Sequence, residues 1–261
     1  MTTFRNILNP TNKMVLMTGV TTVLAGGVLA GAQPASAASV SFGDSWDKPS
    51  DENSLQSHLD NVTTNPGDID TKEDQTGYEL FTHVDSGSTA NLMFEIAGLS
   101  NQNEFGIYKK GNSEKKVSLF SGSNKKGELS NLNFNTNNGD ITVDGKTVNN
   151  FGSTFGFYLE NDSNTFYSEA SLNEGYQQSV IYQGDGSTSI DLPKLGERPF
   201  LQTDFIVAFE DLWRGGNTDH DFNDMVVHVS DVEPTSVPEP SAMAALGLVG
   251  GVMTFMRRRR Q

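Results

Sequence analysis

The densest group of residues able to do chemistry is the acidic stretch from Glu210 to Asp224. It begins Glu210-Asp211-Leu212-Trp213, passes through Arg214-Gly215-Gly216-Asn217-Thr218, and ends Asp219-His220-Asp221-Phe222-Asn223-Asp224. Apolar runs flank it, Phe205-Ile206-Val207-Ala208-Phe209 before and Met225-Val226-Val227-His228-Val229 after. Two such runs are most simply paired as a hairpin. That pairing folds Asp219, Asp221, Asn223 and Asp224 back towards Glu210 and Asp211. Crowded carboxylates repel one another unless a cation lies between them. Calcium takes about six to eight hard oxygen ligands in flexible geometry, which suits Glu210, Asp211, Asp219, Asp221, Asn223 and Asp224 as a ligand set. The chain has no cysteine, which removes soft-metal chemistry, and two nearby histidines alone make a poor zinc site. The competing reading is a turn in which Asp and Asn cap their own backbone. A turn needs one or two such residues, fewer than are present.

The Asp-x-Asp-x-Asn spacing is not that of an EF-hand. With Asp219 as position one, position six is Asp224 where glycine is required, and position twelve is Ser230 where glutamate is required. The stretch does resemble a family known as a domain of unknown function, found in exported bacterial proteins and ending in an Asp-x-Asp-Phe-Asn-Asp signature. The residues that carry the resemblance are Phe209-Glu210-Asp211-Leu212, Gly215-Gly216 and Asp219 through Met225. Phe155-Gly156-Phe157-Tyr158-Leu159 and Phe166-Tyr167-Ser168 match earlier in the chain. The resemblance covers about 95–231 and implies a β-rich, calcium-binding domain with no established activity.

The elements that must position this loop are read from periodicity. Leu55, Leu59 and Val62 recur at helical spacing behind Ser50-Asp51-Glu52, predicting a short helix with an acidic first turn, ended by Asn65-Pro66-Gly67. From Tyr78 the period becomes two. Leu92, Phe94 and Ile96 alternate with Asn91, Met93 and Glu95, and Phe155, Phe157 and Leu159 make the clearest half-buried strand. Asn137-Asn138-Gly139-Asp140 and Asp144-Gly145 are turn chemistry. Phe205–Phe209 is apolar on both faces and is expected to be a central strand covered on both sides. Nine to eleven short strands, with no helix long enough for a crossover, predict an all-β fold. The expected architecture is an antiparallel β-sandwich of jelly-roll type, with Phe94, Ile96, Phe155, Phe157, Val207 and Phe209 buried.

The two ends carry address signals. Arg5 and Lys13 precede an apolar run from Met14 to Ala32, and Ala35-Ser36-Ala37 forms a small-residue site. That order is a signal peptide cut by signal peptidase after Ala37, the alternative being a retained anchor. At the other end, Val237-Pro238-Glu239-Pro240 precedes an apolar run from Ala242 to Met256 and then Arg257 to Arg260. The run is shorter than the about 20 residues of a lone span, and its arginines would stay on the cytoplasmic side. Motif, span and basic tail together resemble the PEP-CTERM sorting signal. The resemblance implies cleavage near the motif by an exosortase-type membrane enzyme, in a bacterium that makes exopolysaccharide. A permanent anchor is the alternative.

The expected divisions are a signal peptide at 1–37, a polar acidic lead-in with the helix at 38–76, and the sandwich at 77–232. A Pro-rich linker with the sorting motif at 233–240 and a transmembrane sorting helix with its basic tail at 241–261 complete the chain. Of 18 basic and 33 acidic residues, six basic and one acidic lie in the two ends, leaving a net charge near −20 between them. Such a surface repels phosphate backbones, so nucleic acid is not a partner.

No Gly-x-Ser-x-Gly or His-Glu-x-x-His occurs, and Glu210 and Asp211, as neighbours on one strand, point to opposite faces. A glycan hydrolase with a carboxylate pair is therefore the weakest functional reading, and the chain is expected not to be an enzyme. A calcium-dependent carbohydrate-binding module is the second, with Trp46, Trp213, Tyr158, Tyr167, Tyr176 and Tyr182 as candidate platforms; core packing competes for most of them. The first reading is a calcium-binding component of the cell surface or of an exopolysaccharide matrix. It is exported and held only transiently at the membrane by its C-terminal helix.

Overall fold

The computed structural model describes residues 40–43, 54–65, 67–85, 87–95, 101–213 and 218–235. The expected signal peptide and sorting helix lie outside these residues, as do Trp46, Ile96, the side chain of Phe94 and the 214–217 part of the acidic loop. After α1 (Leu55–Asp60) come β1 (Gln75–Thr76), β2 (Phe81–His83), β3 (Gly87–Glu95), β4 (Glu104–Lys109) and β5 (Asn112–Ser121). Next are β6 (Leu129–Asn135), β7 (Asp140–Val143), β8 (Lys146–Val148), β9 (Thr154–Glu160) and β10 (Thr165–Tyr167). A short 3-10 turn at Ala170–Leu172 leads to β11 (Ser179–Gln183), β12 (Ser189–Leu192) and β13 (Gly196–Pro199). The last three strands are β14 (Phe205–Phe209), β15 (Met225–Ser230) and β16 (Val232–Pro234).

Two antiparallel sheets face each other. The larger has eight strands in the order β1-β11-β14-β15-β3-β6-β7-β8. The smaller runs β16-β2-β9-β4-β5, with β10 also pairing β9. β12 and β13 form a separate hairpin. The all-β, antiparallel sandwich expected from the sequence is the fold. The strands are more numerous than expected because several, such as β1, β2, β10 and β16, are two or three residues long. Runs that short carry no readable period.

The core between the sheets takes alternate residues from each strand. Phe205, Val207 and Phe209 of β14 and Met225, Val227 and Val229 of β15 meet Phe155, Phe157 and Leu159 of β9 and Phe105 and Ile107 of β4. Phe157 lies 5.8 Å from Phe105 and 5.1 Å from Phe81, ring centre to ring centre. A second core covers the opposite face of the larger sheet. There Met93, Val180, Tyr182, Ile206, Ala208 and Val226 pack against Leu55, Leu59, Val62 and Ile69 of the lead-in and Ile190, Leu192 and Phe200 around the hairpin. Every residue of β14 is buried, as a strand apolar on both faces requires.

The same second core corrects the reading of Met93, which the alternation placed on the polar side of β3. It is fully buried, because the lead-in and hairpin cover that face. The helix also differs from expectation. Ser54 caps it by accepting the Ser57 N–H, and the first turn of Leu55–Asp60 holds no acid. Leu55 and Leu59, four apart and fully buried, are its contact with the sheet. Tyr182 reaches across to donate its hydroxyl to the Thr71 carbonyl at 2.9 Å, and Asp191 N–H donates to the Val62 carbonyl at 2.6 Å. At the β7–β8 turn Asp144 and Gly145 both have positive φ, 48° and 84°, the conformation of a tight hairpin turn. The Asp144 carboxylate accepts from the Ser130 hydroxyl at 2.8 Å and the Asn131 N–H at 3.1 Å.

Candidate metal centre

β14 and β15 pair as the expected hairpin, with Phe209 opposite Met225. The acidic loop therefore leaves and re-enters the centre of the larger sheet. β14 sends its odd residues between the sheets and its even residues to the other side. Glu210 continues the even series, and its N–H still bonds the Gln178 carbonyl at 3.0 Å, as if the strand ran one residue further. The returning segment is shaped by His220 and Phe222, both in the left-handed region with φ of 57° and 54°. For a bulky residue such as Phe222 that conformation is costly and persists only where surrounding contacts hold it. The contact is visible: the Phe222 ring is buried in the second core and meets Phe42 edge-on at 5.3 Å.

These turns bring Glu210, Asp219 and Asp221 together, with one carboxylate oxygen of each within 4.8 Å of the others. Glu210 and Asp221 are each 1% exposed, whereas Asp219 faces solvent. The Thr218 hydroxyl donates to Glu210 Oε1, and the Phe222 N–H donates to its Oε2 at 3.4 Å. The Asn223 N–H donates to Asp221 Oδ1 at 3.3 Å. Asp211 and Asp224 stand beside this trio. The Asp224 carboxylate accepts the Asp211 N–H at 2.8 Å, and Asp211 Oδ2 accepts from Asn103 Nδ2 at 3.1 Å. Asn161 Nδ2 holds the Asp211 carbonyl at 2.8 Å. Asn223 is fully buried.

Three functional neighbours carried no signal in the sequence. Gly43 donates its N–H to the His220 carbonyl at 3.1 Å. A Cβ there would lie 1.9 Å from the Asp219 carbonyl oxygen, so only glycine lets the lead-in come this close. Asn103 directly precedes β4 and Asn161 directly follows β9 of the smaller sheet, both far away in sequence. Nothing in their surroundings marks them out. A buried amide is recognisable only once its partner is known.

Packing settles most of the candidate platforms. Tyr158 and Tyr182 are buried, and Tyr167 is half-buried against Tyr108. Trp213, expected to have the weakest claim on the core, instead stacks on Phe166 at 6.2 Å and packs against the main core. Tyr176 remains 45% exposed and meets Trp213 edge-on at 5.8 Å. His58 and His83 lie in the lead-in helix and on β2, and His228 is buried near Asp204.

Burial drives the electrostatics. Glu210 is pushed up to about 8, first by removal from water and then by the charges of Asp219 and Asp221, against the opposing Thr218 and Phe222 hydrogen bonds. Asp211 is raised by burial and by Asp219, with the Asn103 hydrogen bond pulling the other way. Asp224 is raised by burial and by Glu210 and Asp211. Burial and the neighbouring charges favour a protonated Glu210 unless a cation takes the proton's place. Ionising Glu210 therefore costs the metal-free fold stability. Its contribution is intact below its ordinary value of 4.5 and is lost as pH rises through about 8. In chelator, Glu210→Gln should melt progressively above wild type across that window. Parallel melting curves from pH 4.5 to 8 would contradict the burial argument.

A family model described as a domain of unknown function, DUF4114, matches residues 149–231. A second, the PEP-CTERM protein-sorting motif, matches residues 236–260. No curated protein matches the chain. Among solved structures, the C-terminal domain of BC2L-C lectin from Burkholderia cenocepacia aligns with 60% of this chain and 97% of its own, at 13% identity and TM-score 0.28. The Ralstonia solanacearum high-affinity mannose-binding lectin aligns with 60% and 96%, at the same identity and score. An overlap that low carries no argument. The sorting motif makes this an exported chain whose C-terminus is handled at the membrane by exosortase, the sorting enzyme. Among the described residues no helix is long and apolar enough to cross a membrane.

Proposed function

We propose that the chain is a non-catalytic component of the cell surface or of an exopolysaccharide matrix, in which the loop from Glu210 to Asp224 holds calcium as a structural ion. The observation that carries this is the convergence of Glu210, Asp219 and Asp221, two of them buried, to within 4.8 Å. The donor set fits the ion: every group is a hard oxygen, and Asp219 leaves one side open to water. The Asp211 and Asp224 carboxylates and the Asn223 amide complete the expected ligand set. With no disulfide in the chain, such an ion is the strongest cross-link the loop can acquire. The exported address supports the reading, because extracellular calcium is plentiful enough for sites of modest affinity.

Native mass spectrometry of protein recovered from the envelope or medium tests destination and ion together. The expected species begins near Ala38, lacks Arg257 to Arg260, and carries calcium that chelator removes. A mass that keeps the arginines sinks the cleavage near Pro238-Glu239-Pro240. A mass without calcium sinks the metal.

Calcium-dependent carbohydrate binding is the second reading, favoured by the exposed Tyr176 ring beside Trp213 and the acidic loop. Polysaccharide pull-down in calcium and in chelator separates the two. Retention that needs both calcium and Tyr176 supports a glycan site, and no retention leaves the ion a structural one.

A further inference from the structure

The returning segment of the acidic loop alternates between two duties. Asp219 and Asp221 give their carboxylates to the trio, whereas His220 and Phe222 meet residues 40–43 of the lead-in. The His220 carbonyl accepts the Gly43 N–H at 3.1 Å, and the Phe222 ring meets Phe42 edge-on at 5.3 Å. His220 and Phe222 are also the two residues of 219–222 with positive φ, a conformation that needs surrounding contacts to hold it. Residues 40–43 supply two of those contacts. The far end of the same stretch is fastened to the larger sheet. The Gln75 side chain accepts the Val40 N–H at 2.6 Å and donates to the Val40 carbonyl at 3.1 Å. Gln75 opens β1, which pairs with β11, which in turn pairs with β14. Two strand spacings come to about 10 Å, within the about 13 Å that four residues can reach, so the stretch bridges the sheet edge and the loop. Val40 and Phe42 pack against the second core but stay half-buried, and Ser41 is exposed.

We propose that residues 40–43 are a clasp coupled to the ion: calcium at the trio fastens the clasp, and the docked clasp tightens the calcium site. The proposal rests on the reading that the loop takes calcium, and adds to it Phe42 and Gly43 as positioning residues that do not touch the ion. Ion and clasp order the same four residues, 219–222, through different atoms. Whichever docks first bears the cost of ordering them, and the second meets them already ordered, which is positive cooperativity. Linkage makes the effect reciprocal. A clasp with two half-buried side chains and a few hydrogen bonds belongs to the low-stability end of the fold, where a modest coupling changes its population. Cleavage after Ala37, as the sequence predicts, would leave the clasp two residues from the new N-terminus, so the ion would also secure the end that export creates.

Hydrogen exchange and calcium titration of the full-length chain test the two directions of the coupling. In wild type, calcium should slow exchange of the 40–43 amides about tenfold relative to chelator, within the about 5–150-fold range of typical couplings. Phe42→Ala and Gly43→Ala should each weaken calcium binding about tenfold without changing the number of ions bound. Phe42→Leu keeps an apolar contact with Phe222 and should stay near wild type. Gly43→Ala disrupts only the close approach to the Asp219 carbonyl, so it covers the case in which Phe42→Ala fails to fold. Two results overturn the proposal while the ion reading stands: calcium binding with unchanged exchange at 40–43, or both alanine variants binding calcium as tightly as wild type. If wild type binds no calcium, the ion reading falls and the clasp falls with it.

Discussion

Calcium added to the chelated full-length chain raises its melting temperature by several degrees, and magnesium does not reproduce the shift. Without a cation the convergent carboxylates of Glu210, Asp219 and Asp221 either repel or keep a proton, and both weaken the loop between β14 and β15. A cation turns that repulsion into ligation. Only the folded chain assembles the three groups, so an ion at about 100 times its dissociation constant adds about 2.7 kcal/mol. For a domain of this size that corresponds to about 5–10 °C. Magnesium demands a rigid octahedral shell and gives up its water reluctantly, which an irregular set of side chains does not offer. Asp221→Ala should remove most of the shift. Asp144→Ala should lower the baseline, because its carboxylate holds Ser130 and Asn131 at the β7–β8 turn, yet leave the calcium shift intact. Equal melting temperatures in calcium, magnesium and chelator would reduce the loop to a turn.

Phe209→Ala should be more damaging still, costing about 3–5 kcal/mol in denaturant unfolding with the m-value unchanged. Phe209 is fully buried, ends the central strand, and meets Phe105 of the opposite sheet edge-on at 6.0 Å. Truncation leaves a cavity between the sheets directly beneath Glu210. Leu212, three residues on but 42% exposed, should cost no more than about 0.5 kcal/mol when replaced by Ala. Similar costs for the two would mean that the end of β14 is not packed as described.

The fold was legible where a strand is long enough to show its period. β9 announces itself through Phe155, Phe157 and Leu159, and β14 through five apolar residues in a row. The hairpin that bears the acidic loop followed from two such strands and the shortness of their link. What escaped was set by contacts distant in sequence. Met93 looked outward-facing because nothing local says that Leu55, Leu59 and Ile190 cover it. Trp213 looked available because Phe166 and Tyr176, its packing partners, come from another part of the chain. The same holds at the site. Composition singled out the carboxylates, but not which of them converge: the meeting of Glu210, Asp219 and Asp221 depends on the φ of His220 and Phe222. Gly43 and Asn103 are ordinary residue types whose meaning is purely spatial.

The ion itself is the central claim, and calorimetric titration of calcium into the chelated full-length chain reaches it most directly. Saturable binding by wild type, abolished or strongly weakened in Asp221→Ala and absent when magnesium is titrated instead, is the expected result. A flat titration of wild type, or an isotherm that Asp221→Ala leaves unchanged, would contradict it.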